Sequence, residues 1–208
     1  MPPSISAPMP VQQRAWDTRG RILAAAVSCL AEEGYGASTT SRIQARAGVS
    51  RGSLLHQFPS KDDLLIAAVQ HLAQARTTDL DGQPERTVGD IDTSVEALWG
   101  TLHGPLFAAT LELWVAAKNN PELAAVLAPH EHELGRSIRT AIARMFGPEL
   151  SARPGFPDLV AVLLTSMRGV ALTYTFERRD HRRDPNLAVW KRLARVYLDG
   201  AVTAPDPG

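Results

Sequence analysis

Residues 39–58 read TTSRIQARAGVSRGSLLHQF, and the break inside this stretch decides the fold. Ile43 and Ala47 stand four apart, which puts both on the inner face of one short helix that follows Ser38, Thr39 and Thr40 and stops at Gly48. A second short helix begins at Ser50 and runs to about Gln57. Between them Gly48, lacking a Cβ, permits a tight turn, Val49 packs between the helices, and the Ser50 hydroxyl caps the second helix. This is a helix-turn-helix pattern, and the N-terminal end of its second helix fits a major groove about 12 Å wide. Two short helices with a glycine turn also occur in proteins that bind no DNA, so the pattern alone leaves both readings open.

The helical period continues outward on both sides. Upstream, Ile22, Ala26, Cys29 and Leu30 share one face of a first helix that starts near Asp17 or Thr18 and stops at Gly34. Downstream, Ser60 with Asp63 three residues later marks the cap of a fourth helix that reaches about Ala75. Residues 77–92 are polar, hold Gly and Pro, and lack helical period, so they read as a connection. Apolar helical patterns then occupy 93–103, 105–118, 121–146, 158–178 and 186–203. Asn120-Pro121 and Asp184-Pro185 each supply a cap followed by a proline at the first helical position. Runs of alternating β-branched residues are missing, which makes the fold class all-α. The expected organisation is a flexible tail over 1–13, a helix-turn-helix domain over 14–76, a linker over 77–92 and a helical domain over 93–208.

The chain has 208 residues, 44% of them hydrophobic, enough for one ordinary domain or two small ones and incompatible with a collagen-like or wholly disordered chain. Its charge balances at 22 basic against 22 acidic residues. Residues 1–76 nevertheless hold eight basic and five acidic residues, so this segment is net +3 and the remainder −3. A nucleic-acid-facing piece joined to an acidic piece has that asymmetry. No run of 18 apolar residues occurs, so no membrane partner is expected. The first 16 residues carry four prolines and no apolar signal core, and with the single Cys29 they predict a cytoplasmic protein. Cys29 lies on an apolar face and is expected to pack. Arg42 and Arg46 read foremost as a solvated stripe, with approach to phosphate as the alternative, and the mixed-charge run 177–184 reads as a solvated loop. At 130–134 the sequence HEHEL puts a leucine where a zinc-protease motif needs its second histidine, and no Walker loop, GxSxG or GxGxxG occurs. No catalytic, cofactor or metal site is expected.

The run from Glu32 to Leu65, EEGYGASTTSRIQARAGVSRGSLLHQFPSKDDLL, resembles the DNA-binding segment of the TetR family of transcriptional regulators, and the likeness extends over about residues 19–75. It implies an all-α homodimer in which each subunit has a three-helix reading head and a larger helical domain for effector binding and dimerisation. Most such proteins are repressors released from a double-stranded DNA operator when a small molecule binds. Carried over by position, Thr40 matches a phosphate contact with Ser41 beside it. Behind the capping Ser50, residues Arg51, Gly52 and Ser53 match the groove-facing start of the recognition helix, and Arg51 is expected to read a guanine edge through its fork of donors. Lys61 matches a phosphate-neutralising lysine. Leu55 and Gln57 depart from the family's usual tyrosine and histidine: Leu55 has no donor and is expected to pack, while Gln57 and His56 are expected to supply the missing contacts.

In the larger domain Trp99, His103, Phe107, Thr110, Leu111, Trp114, Thr165, Arg168 and Tyr174 are expected to line an effector site of apolar walls with a few polar groups, although the same spacing suits a plain helical core. The resemblance assigns the last two long helices to a two-fold four-helix interface, with Leu159, Val162, Leu163, Ser166, Val170, Val189, Leu193, Val196 and Tyr197 on them. The expected function is a sequence-specific DNA-binding regulator, a repressor released from an inverted repeat by a small molecule. Two other classes stay open, a nonspecific DNA-binding protein and a small-molecule-binding protein with a degenerate head.

Overall fold

The computed structural model describes residues 11–81, 90–177 and 179–198, and the expectations for 1–10, 82–89 and 199–208 lie outside them. Its helices are α1 (Val11–Ala37), α2 (Thr40–Ala47), α3 (Arg51–Gln57), α4 (Lys61–Asp81), α5 (Ile91–Thr101), α6 (Pro105–Lys118), α7 (Pro121–Ser151), α8 (Phe156–Thr173) and α9 (Asn186–Leu198), with one 3-10 turn at His181–Arg183. No strand occurs among the described residues, in keeping with the missing alternation.

Side-chain caps set most of the starts. Asp90 accepts the Thr93 amide at 2.9 Å, so α5 begins at Ile91, two residues before its apolar period. Asn120 accepts the Leu123 amide at 3.1 Å ahead of α7, as the Asn-Pro pair predicts. Ser60 accepts the Asp63 amide at 3.0 Å and returns its hydroxyl proton to the Asp63 carboxylate at 2.7 Å, which starts α4. Where the expectation fails, propensity or a local kink is the reason. α1 begins at Val11, ahead of Asp17, because Gln12, Gln13, Arg14 and Ala15 favour helix without repeating an apolar face. α7 passes the expected stop at Phe146: Gly147 turns the chain at φ +82, and Pro148 restarts helix to Ser151.

The chain divides into two compact units, one of residues 1–72 with 109–127 and the other of 73–108 with 128–208. A single cut at the linker does not describe this division, because the end of α6 and the start of α7 go with the N-terminal helices. The first unit is centred on Ile22, Leu30, Ile43, Leu54, Leu64, Leu65, Leu113 and Leu123, each at most 1% exposed. In the second, Trp99, Ile142, Phe146, Leu159, Leu163, Met167 and Trp190 belong to one buried cluster. Both buried indoles are satisfied: Trp99 donates to the His181 carbonyl at 2.8 Å and Trp190 to the Ser166 hydroxyl at 2.9 Å. Among the described residues α8 is the one helix long and apolar enough to cross a membrane, yet its Leu159, Val160, Leu163, Met167 and Ala171 are committed to this core.

Candidate nucleic-acid interface

The helix pair is built by three local devices. Thr39 is extended and its hydroxyl accepts the Arg42 amide at 3.3 Å, which starts α2. Gly48 takes the left-handed conformation at φ +63, and the Gly48 and Val49 amides return to the carbonyls of Ala45 and Gln44 at 3.3 Å each. Ser50 is extended again and accepts the Ser53 amide at 3.1 Å, which starts α3. Leu54 and Phe58, one turn apart and both buried, pin α3 to the head. Arg51, Gly52, Leu55 and His56 are exposed, while Ser53 and Gln57 are half-buried. On the first turn of α2, Ser41 is exposed and Thr40 half-buried. The expectation that Leu55 packs is corrected here, since it is 40% exposed. Leu54 takes the inward position, and its neighbour is carried about 100° further round the helix.

Arg42 and Arg46 are exposed, as a solvated stripe requires, but they are not idle. Arg42 pairs with Glu33, and Arg46 with Glu32 at 2.8 Å and Glu33 at 3.2 Å, so α2 is tied to the end of α1. Cys29 is fully buried, and burial pushes its thiol up, in agreement with a packing role.

A second set of contacts, centred on Tyr35, was not legible in the sequence. Gly34 turns the end of α1 at φ +80, a conformation that requires glycine, and the flexible carboxylate end of Glu112 lies 2.9 Å from where a Cβ would stand. The same carboxylate accepts the Tyr35 amide at 3.1 Å. The Tyr35 hydroxyl donates to Asp62 at 2.7 Å, and Lys61 donates to the Tyr35 carbonyl at 2.6 Å with its ammonium 3.8 Å from the ring centroid. Burial, with the Asp62 hydrogen bond second, pushes the phenol up to about 12, and burial lowers the Lys61 ammonium. Lys61 therefore spends one of its three donors inside the head before any phosphate is met. The Gly-Tyr-Gly run at 34–36 signals a turn, but nothing local announces a carboxylate 77 positions further on.

Comparison with known proteins places this head. Residues 22–68 match the family described as bacterial regulatory proteins, tetR family. The chain is 27% identical over 180 residues to the HTH-type transcriptional regulator CymR of Pseudomonas putida, covering 82% of this chain and 85% of CymR. It is 29% identical over 203 residues to the HTH-type transcriptional regulator UidR of Escherichia coli strain K12, covering 93% of this chain and 97% of UidR. Residues 22–68 are a TetR-family head. In fold the chain is similar to the multidrug binding protein EbrR, solved in complex with ethidium, at TM-score 0.62 and 19% identity over 87% of this chain and 98% of EbrR.

The second unit holds six of the nine residues expected at an effector site; Thr110, Leu111 and Trp114 fall in the first unit instead. Trp99, His103 and Tyr174 do come together: the His103 ring lies 4.2 Å from Trp99 and 4.9 Å from Tyr174, and His181 stacks on it at 4.3 Å. The Tyr174 hydroxyl donates to the buried Asp184 at 2.6 Å, and Asp184 also accepts the Asn186 amide at 2.8 Å. Burial, with the His181 charge second, lowers His103 to about 4, and its Nε2 is enclosed without a hydrogen-bond partner. Thr165 does not join this group, being exposed with its hydroxyl on the Ala161 carbonyl at 2.8 Å. Phe107 packs at the edge of the core, and Arg168 is half-buried, its ionisation disfavoured by burial. Among the residues expected at a dimer interface, Leu159 and Leu163 are fully buried in the chain's own core and offer nothing to a partner. Ser166 is occupied by Trp190, and Val170, Leu193 and Tyr197 are half-buried. Val162, Val189 and Val196 remain exposed.

Two consequences are measurable. Replacing Tyr35 by Phe removes the donor to Asp62 while keeping the ring under Lys61, and should lower stability to urea by about 1 kcal/mol; an unchanged midpoint contradicts the bond. For His103 the folded value near 4 lies below the ordinary 6.5, so between these the unfolded chain binds more protons. Stability from this group is complete above 6.5 and is lost as pH falls toward 4. His103→Phe should flatten that part of the acid loss in urea titrations across this range, and an unaltered slope contradicts the assignment.

Proposed function

We propose that the protein is a transcriptional regulator that reads DNA sequence through α3, acting in the cytoplasm as a homodimeric repressor that leaves its operator when a small molecule binds the second unit. The observation that carries this reading is the outer face of α3. A helix capped by Ser50 and pinned through Leu54 and Phe58 turns Arg51, Gly52, Leu55 and His56 to solvent together. A solvated surface has no need of so rigid a mount, and groove entry does. Ser41, and Lys61 with the donors left to it, are the groups for phosphate on either side, and the net charge of +3 over residues 1–76 favours a polyanion.

Support from relatives is consistent with this. CymR and UidR are named HTH-type transcriptional regulators and match this chain over most of its length. EbrR shares the fold and holds ethidium, a planar aromatic molecule, in its complex. The rings of Trp99, His103 and Tyr174 are the groups in this chain suited to such a ligand, and the neutral His103 adds a polar contact without a charge. An effector acts only through its preference for the state that does not bind DNA. The exposed Val162, Val189 and Val196 on α8 and α9 supply the face for a second subunit. Two recognition helices related by a two-fold axis would stand about 34–36 Å apart, which makes the operator an inverted repeat.

The test is the Arg51→Ala protein on a duplex selected from a random pool by the unmodified protein. Its discrimination against a scrambled duplex should fall by about 1–3 kcal/mol per guanine contact, with little change in affinity for the scrambled duplex. Undiminished discrimination removes Arg51 from base reading.

A further inference from the structure

We propose that Leu55 is a base-reading residue whose side chain packs against the C5 methyl of a thymine in the major groove, beside the base read by Arg51. The inference rests on the DNA-binding reading above and adds a residue that neither the capping pattern nor the charge pattern assigns. A lone exposed leucine means little in itself, since apolar side chains are common on surfaces. Its position gives it meaning. Leu55 stands three residues after Gly52 and four after Arg51 on α3, so on the helix surface it neighbours both. Side chains on a helix lean toward its N-terminus, which lays Leu55 over the turn that contains Gly52. At Gly52 there is no side chain, and a Cβ placed there would meet nothing within 4 Å. The leading end of α3 thus leaves open space over Gly52, with exposed Leu55 and Arg51 as its neighbours on the helix surface.

Leucine has no polar atom with which to bond a phosphate oxygen or a base edge. In the major groove the apolar feature that differs between base pairs is the thymine methyl, which only a T·A or A·T pair presents. A methyl brought into the open space above Gly52 would be covered by Leu55 while Arg51 reaches the acceptors of a guanine nearby. The operator half-site should therefore carry a thymine within about two base pairs of that guanine, with the methyl itself recognised. Burial of one methyl corresponds to about fourfold in affinity, and for the two halves of a symmetric site to about fifteenfold.

The experiment selects bound duplexes from two random pools, one made with thymidine and one with deoxyuridine, which lacks only the C5 methyl, using the full-length protein and its Leu55→Ala and Leu55→Met variants. Because Leu55 is 40% exposed, both variants should melt with the unmodified protein, and that is measured alongside. The expected result is a thymine in the motif from the thymidine pool that is lost from the deoxyuridine pool and from Leu55→Ala, and kept by Leu55→Met. Deoxyuridine substitution in the selected duplex should weaken the unmodified protein by about fifteenfold and leave Leu55→Ala nearly indifferent. A motif that is equally strong in both pools, or a thymine that Leu55→Ala still selects, overturns the proposal alone. Failure of any motif to emerge from the thymidine pool overturns the DNA-binding reading, and the proposal falls with it.

Discussion

The left-handed turn at Gly48 is the constraint on which the reading head depends. With φ at +63 it reverses the chain between two short helices, neither of which is long enough to be stable in isolation. Because Gly48 ends α2 and Ser50 starts α3 only two residues later, local caps fix where α3 begins. That register sends Leu54 and Phe58 inward and leaves Arg51, Gly52, Leu55 and His56 outside. A side chain at position 48 would strain the turn, and a shift of α3 by one residue would bury Leu55 and expose Leu54. Recognition chemistry and core packing are thus two faces of the same seven-residue helix.

The Tyr35 group supplies the next level. It joins the end of α1, the start of α4 and the α6 carboxylate of Glu112, three segments that no local sequence signal associates. The positive φ of Gly34 calls for glycine, and the turn it makes presents the Tyr35 amide to Glu112. This accounts for the return of residues 109–127 to the N-terminal unit: α6 contributes a hydrogen-bond acceptor that the turn after α1 needs. Lys61 is a member of the same group, so the phosphate contact proposed for it would be inseparable from its part in the head's shape.

Helix existence and helix caps were legible because their causes are local. Gly48, Ser50, Ser60 and Asn120 each act on residues within five positions, and each does in the structure what its type implies. The likeness of residues 22–68 to the TetR family followed from the same stretch, since this head is an array of such local signals. What was not legible depends on contacts between distant residues. The division of the chain, the role of Glu112, and the Asp184 carboxylate that orders Tyr174 all join positions that sequence period does not connect. Leu55 was misread for a different reason: an apolar residue beside another apolar residue on a short helix has no period to say which of them faces in. Leu159 and Leu163 were misread for the same reason, since a helix with one face in its own core and another toward solvent looks apolar on both.

The central claim, that α3 reads bases and does not merely neutralise phosphate, is tested most directly by equilibrium titration of the full chain at one near-physiological salt concentration. The two ligands are an inverted-repeat duplex recovered by selection and a scrambled duplex of the same length and composition. A base-reading head predicts at least about a thousandfold preference for the inverted repeat. Equal affinity for the two duplexes would contradict it.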